Sequence, residues 1–185
     1  MKTPHVWLGA VAALALAGAA QAQVRITEVA AWGSSAVYGN DWFELTNTGS
    51  SAISVNGWKM DDNSNSFSNA VPMSGITSIA AGESVIFIEN KASSFLSTWF
   101  AANAPAGLQI GTYSGSGVGL STSGDAVNVY NSAGTLLANV SFSGSPSGSP
   151  LATFDNAAGL NNTAISRLSV VGVNGAFVAD RKSVV

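Results

Sequence analysis

The chain has 185 residues, with 7 basic and 10 acidic side chains, a formal net charge of −3, no cysteine and one histidine. The lack of cysteine removes disulfide frameworks, thiolate metal sites and cysteine nucleophiles. The histidine, His5, falls in the N-terminal apolar segment, so the remainder offers no imidazole for a Ser-His-Asp triad, a histidine-ligated zinc or a neutral-pH general base.

That N-terminal segment has three parts: Lys2, the apolar run VWLGAVAALALAGAA, and the small-residue site Ala20-Gln21-Ala22. This is the pattern of a secretory signal peptide over residues 1–22, with cleavage expected after Ala22. The expected location is therefore secreted, periplasmic or cell-surface. The run is too short and too rich in small residues for a spanning helix, and no second such run follows, so no membrane span is expected after cleavage. Lysine and arginine are scattered except in DRK near the end, which argues against nucleic acid as a partner, because that affinity rests on cations meeting phosphates.

From Gln23 the chain reads as short strands separated by Gly, Ser, Asn and Asp, the pattern of an all-β sandwich or barrel. Strands are expected at Val24–Ala31, Asp41–Asn47, Val55–Asp61, Ile76–Ile79 and Ser84–Glu89, then at Val118–Ser121, Ala126–Asn131 and Leu136–Ser143. Period-two alternation sets Phe43 and Leu45 on one face and Trp42, Glu44 and Thr46 on the other. In the first strand Glu28 breaks the alternation, which calls for a bulge or for a buried, partnered carboxylate. SVIFIE is apolar on both faces and needs a cover. The next stretch, Asn90–Pro105, places Phe95, Leu96, Trp99 and Phe100 at helical spacing, so one short helix inserted between strands is expected to supply it.

After Ser143 the texture changes. Residues 144–179 are rich in Gly, Ser, Pro and Asn and read as an irregular excursion ending in a last strand around Ile165–Val171. The final six residues, DRKSVV (180–185), differ again and match the translation of a common sequencing-adapter read-through. They are expected to be non-native, with the natural frame ending near Ala179.

The ordered set VRITEV, DWFELTNTGSSAISVNGWKMDD, SIAAGESVIFIE and GLSTSGDAVNVYNSAGTLLANVSF, spanning Val24 to Phe142, resembles the bacterial lamin-tail domain. The resemblance implies an immunoglobulin-like antiparallel β-sandwich over residues 23–143 and a non-catalytic module. In bacteria such domains occur in exported or surface proteins, sometimes beside nucleases, phosphatases or other hydrolases.

Three sets of residues are candidates for chemistry. Trp32, Tyr38 and Trp42 flank a Gly/Ser-rich loop and form a candidate binding surface for a protein or a glycan, through aromatic faces or a partner's cavity. Asp61, Asp62, Asn63 and Asn65 place oxygens at alternating positions, as a weak calcium loop does, though without the glycine and distal glutamate of an EF-hand; the competing reading is a solvated turn. Asp41, Glu44, Asp61 and Asp62 contain enough carboxylates for a glycosidase pair, but nothing in their spacing fixes a catalytic separation, and acids also protect sheet edges. The sequence therefore predicts a non-enzymatic exported module for protein or glycan interaction, or for a structural role at the cell surface, with no required cofactor. The alternative is an accessory domain of a secreted hydrolase whose catalytic part lies elsewhere.

Overall fold

The computed structural model describes residues 24–31, 41–90, 95–100, 104–145, 152–156 and 164–169. Within them the chain is all-β. The strands are β1 (Val24–Ala30), β2 (Trp42–Asn47), β3 (Ile53–Ser54), β4 (Lys59–Asp61), β5 (Val71–Ser74), β6 (Ser78–Ile79) and β7 (Ser84–Glu89). One helical segment, α1 (Phe95–Trp99), precedes β8 (Ile110–Tyr113), β9 (Gly124–Tyr130), β10 (Leu136–Ser143), β11 (Phe154–Asp155) and β12 (Ala164–Ile165).

Ten strands join in the order β11-β1-β2-β7-β8-β5-β4-β9-β10-β12, while β3 and β6 form a separate pair. Neighbours are antiparallel except β7 with β8 and β10 with β12. Past β12 the chain reaches back to β11. Leu168 bridges Phe154, Asp155 N donates to the Arg167 carbonyl (2.8 Å) and Ser169 N donates to the Thr153 carbonyl (2.9 Å). The row of strands thus returns to its beginning.

Alternation explains which side chains go inside. Ile26, Phe43, Leu45, Val85 and Phe87 from one half of the row share a single apolar core with Val127, Val129, Val140 and Phe142 from the other. Phe43 and Phe87 stack with centroids 5.7 Å apart. Full burial of such a side chain stabilises by about 1.5–3 kcal/mol, so this layer dominates the fold. Gly111 is required where β7 and β8 run parallel, because a Cβ there would fall 2.6 Å from the Phe87 ring and 2.6 Å from the Ser74 carbonyl oxygen.

The opposite parity of β2 and β7 builds a second layer. Trp42, Ile86 and Ile88 pack beneath Phe95, Trp99 and Phe100. Trp42 meets Phe95 and Trp99 edge-on, at 5.7 and 5.1 Å, the arrangement that the ring quadrupole favours. Leu96 is 41% exposed and leaves the expected apolar stripe. Phe95 and Trp99, one helical turn apart on α1, both turn inward.

One expected strand is lost, two strands appear that were not expected, and the break at Glu28 is resolved. Val118–Ser121 is not a strand: Val118 and Leu120 bury their side chains from a loop. Strand β5 was hidden by Pro72 and β8 by Gly111, residues that ordinarily count against a strand interior. In β1 the register shifts between Ile26 and Glu28, and Glu28 is also buried, so the bulge and the buried carboxylate occur together.

Candidate functional site at the Asp125 end

The first residues of β2 and β9 and the last of β4, β7 and β8 gather at one end of the molecule. Asp125 organises it. Its Oδ1 accepts the backbone amides of Asn63 (3.0 Å) and Ala126 (2.8 Å), and its Oδ2 accepts that of Ser121 (2.7 Å). Gly124, at φ +117°, makes the corner that delivers this carboxylate, a conformation suited to glycine. Asp41 acts in parallel: its Oδ2 accepts the Leu120 amide at 3.0 Å, while its carbonyl accepts the Glu89 amide at 2.8 Å.

Asp61 anchors the next loop. Its Oδ2 accepts from Ser64 Oγ and Ser66 N, both at 2.7 Å, and its Oδ1 is buried with no hydrogen-bond partner among the described residues. Asp62 Oδ1 accepts the Ser64 amide at 3.2 Å, and its carbonyl accepts the Asn128 carboxamide at 2.6 Å. Asn65, at φ +48°, receives a 2.6 Å hydrogen bond from Tyr130 OH. Asparagine tolerates that left-handed backbone better than most residues. Phe67 completes the support, tilted against Tyr130 at 5.7 Å with Lys59 Nζ 4.8 Å over its ring. Burial first, and the Asp61 charge second, hold the Tyr130 phenol above its ordinary value.

Beneath this end lies Tyr113. Its hydroxyl is buried with no hydrogen-bond partner among the described residues. Burial is the main cause that pushes the phenol well above 10.0, and the charges of Asp41, Glu89, Asp125 and Asp62 add to it. Burial also raises the half-buried Glu89 carboxyl. The charges of four acids thus act on one phenol. Chemically, the aspartates serve as acceptors for loop amides, and charge-assisted bonds of this kind are roughly twice as strong as neutral ones.

The residues singled out from sequence are distributed as follows. Trp32 and Tyr38 lie outside the described residues. Trp42 is 1% exposed under α1, so its indole is core and not loop surface, which corrects its assignment as a contact residue. Asp61, Asp62, Asn63 and Asn65 form one turn closed by its own amides and tied to β9. Among the described residues no three His, Cys, Asp or Glu side chains are placed to hold a metal ion.

Of the four acids considered for hydrolysis, Asp41, Asp61 and Asp62 belong to this end. Glu44 does not: it faces the outer side of β2, accepts from Thr27 Oγ1 and pairs in register with Glu28. Sequence reading missed the role of Asp125. The signal available was Gly124-Asp125 entering an alternating strand.

What the folded chain defines, then, is an all-β module with a large, mostly antiparallel sheet and end loops fixed by carboxylates. A family model, Lamin Tail Domain, matches residues 17–144, and the chain belongs to that family. A search of curated proteins returns no match.

Proposed function

We propose that this chain is a non-catalytic, exported interaction or structural module, with an immunoglobulin-like two-layer sandwich as its scaffold and its end loops as the contact surface for a protein or a glycan. The observation that supports this reading most is the use of the acids at the Asp125 end. Asp41, Asp61 and Asp125 accept backbone amides and so hold loops in place. Loops fixed on a rigid scaffold are suited to recognition. The absence of histidine beyond His5 supports the same reading.

Export rests on the signal-peptide pattern of residues 1–22, and Trp32 and Tyr38 are the contact residues proposed. No cofactor belongs to this role, and calcium at millimolar concentration is expected to leave the melting temperature unchanged. The test is binding of the purified chain to a glycan array and to surface-protein extracts, repeated with Trp32→Ala and Tyr38→Ala. Loss of a ligand on either substitution, with melting unchanged, supports the proposal; binding that survives both places the contact elsewhere and rejects these residues. The second reading, an accessory domain of a secreted hydrolase, follows from the family alone and is tested by reading the gene in frame past residue 179.

A further inference from the structure

The stretches 152–156 and 164–169 lie beyond the family-matched region, yet they seat on it at both ends of the strand row. Residues Thr153 to Asn156, the tetrapeptide TFDN, occur once in the chain and each has its own seat. Thr153 Oγ1 donates to Glu28 Oε1, and Phe154 packs on Phe142 with centroids 5.0 Å apart. Asp155 lies 3.5 Å from Arg167 Nε. Asn156 donates its carboxamide to the Ile26 carbonyl (2.8 Å) and its amide to the Thr27 carbonyl (2.9 Å). On the far side Ile165 enters the core beside Phe142, its partner in register on β10.

We propose that these two stretches are a strap that adds to the body by strand pairing, opens as a unit, and exchanges with the strap of a second copy of this chain. Attachment is brief on each side: two register pairs to β1 and two to β10. An element held by so few ladder positions opens at lower cost than the whole fold. Opening uncovers the edge of β1 and the seats for Thr153, Phe154 and Asn156. The side-chain matches are specific to TFDN, so the occupant that fits is the same segment from another copy. Exchange of an identical element between protomers makes no new kind of contact and is a low-cost route to a dimer. The residues before the strap, GSPSGSP, have a spacer composition with no alternating pattern of their own.

The test uses two single-cysteine versions of the full chain, which has no cysteine of its own. Ser141 on β10 and Ala164 on β12 are register partners, and Ala164 is exposed. A Ser141→Cys copy mixed with an Ala164→Cys copy under mild oxidation gives disulfide-linked heterodimer above the collisional level only when one copy's strap lies on the other's β10. The expected result is several-fold more heterodimer than from Ala164→Cys mixed with Ala81→Cys, whose cysteine lies on the exposed turn before β7, and less when Phe154→Ala is added to the strap donor. The double variant Ser141→Cys/Ala164→Cys must close its disulfide within one chain. Failure of that closure overturns the strap's position and with it the proposal. Closure with heterodimer at the control level overturns exchange.

Discussion

Asn63 and Asp125 are 62 positions apart in sequence, yet the amide of one lies 3.0 Å from the carboxylate of the other. That contact ties the β4–β5 loop to the start of β9. Replacing Asp125 with Ala leaves the part-buried amides of Asn63, Ser121 and Ala126 without their acceptor, and hydrogen bonds to a charged group contribute about 1.5–3 kcal/mol. The expected loss for Asp125→Ala is about 2–3 kcal/mol, read as a lower urea midpoint at unchanged slope. A shift below about 0.5 kcal/mol would mean that the end loops are held by other means.

Asn47 organises the opposite end. Its carboxamide nitrogen lies 2.9 Å from the Ser51 carbonyl, 3.0 Å from that of Ile79 and 2.9 Å from that of Ala80, while its Oδ1 accepts the Gly49 amide at 2.9 Å. Asn47→Ala removes all four contacts in a fully buried position, and a loss of about 2–4 kcal/mol is expected. Asn47→Asp keeps the Gly49 bond but sets an acceptor against three carbonyls, and is expected to be at least as damaging. Thermal melts of the two variants side by side check both statements.

Tyr113 gives a prediction of the opposite sign. Its buried hydroxyl has no hydrogen-bond partner among the described residues, so Tyr113→Phe is expected to be neutral or stabilising by up to about 1 kcal/mol. The phenol's value in the fold lies well above 10.0, so the folded chain keeps a proton that the unfolded chain releases. Stability from this group is complete below pH 10 and falls as the pH climbs further. Alkaline unfolding of Tyr113→Phe is therefore expected at higher pH than in the parent, and absorbance near 295 nm in the parent should show one phenol that ionises only with unfolding.

Glu89 acts in the same direction at acid pH. Burial holds its carboxyl above 4.5, so the folded form retains the proton longer than the unfolded chain does. Its contribution is complete below about 4.5 and declines as the pH rises through the raised value. Glu89→Gln should flatten the dependence of melting temperature on pH across that window. An unchanged slope would show that Glu89 is not its source.

The sheet was legible where side chains alternate without interruption. Phe43 and Leu45 were read as one face, and both lie in the main core. The opposite face was legible as a face but not as a destination: Trp42 could be assigned its parity, and only the packing of α1 decides that it is covered. Local signals misled wherever a strand contains Pro72 or Gly111, since each argues against a strand unless its neighbour is known. The Asp125 end was legible as loops and carboxylates. That Asp125 and Asp41 would bind amides 62 and 79 positions away has no local signature. The strap was hidden for the same reason: Gly/Ser/Asn texture says nothing of long-range pairing, and Thr153, Phe154 and Asn156 find partners 12 to 130 positions upstream.

Closing the strand row has a consequence for encounters between copies of the chain. Unpaired strand borders are templates on which stray chains accumulate, and a closed row withdraws those of β1 and β10 from that hazard. Shelter at these two borders comes from β11 on β1 and β12 on β10, and the Leu168–Phe154 bridge ties those two covers to each other.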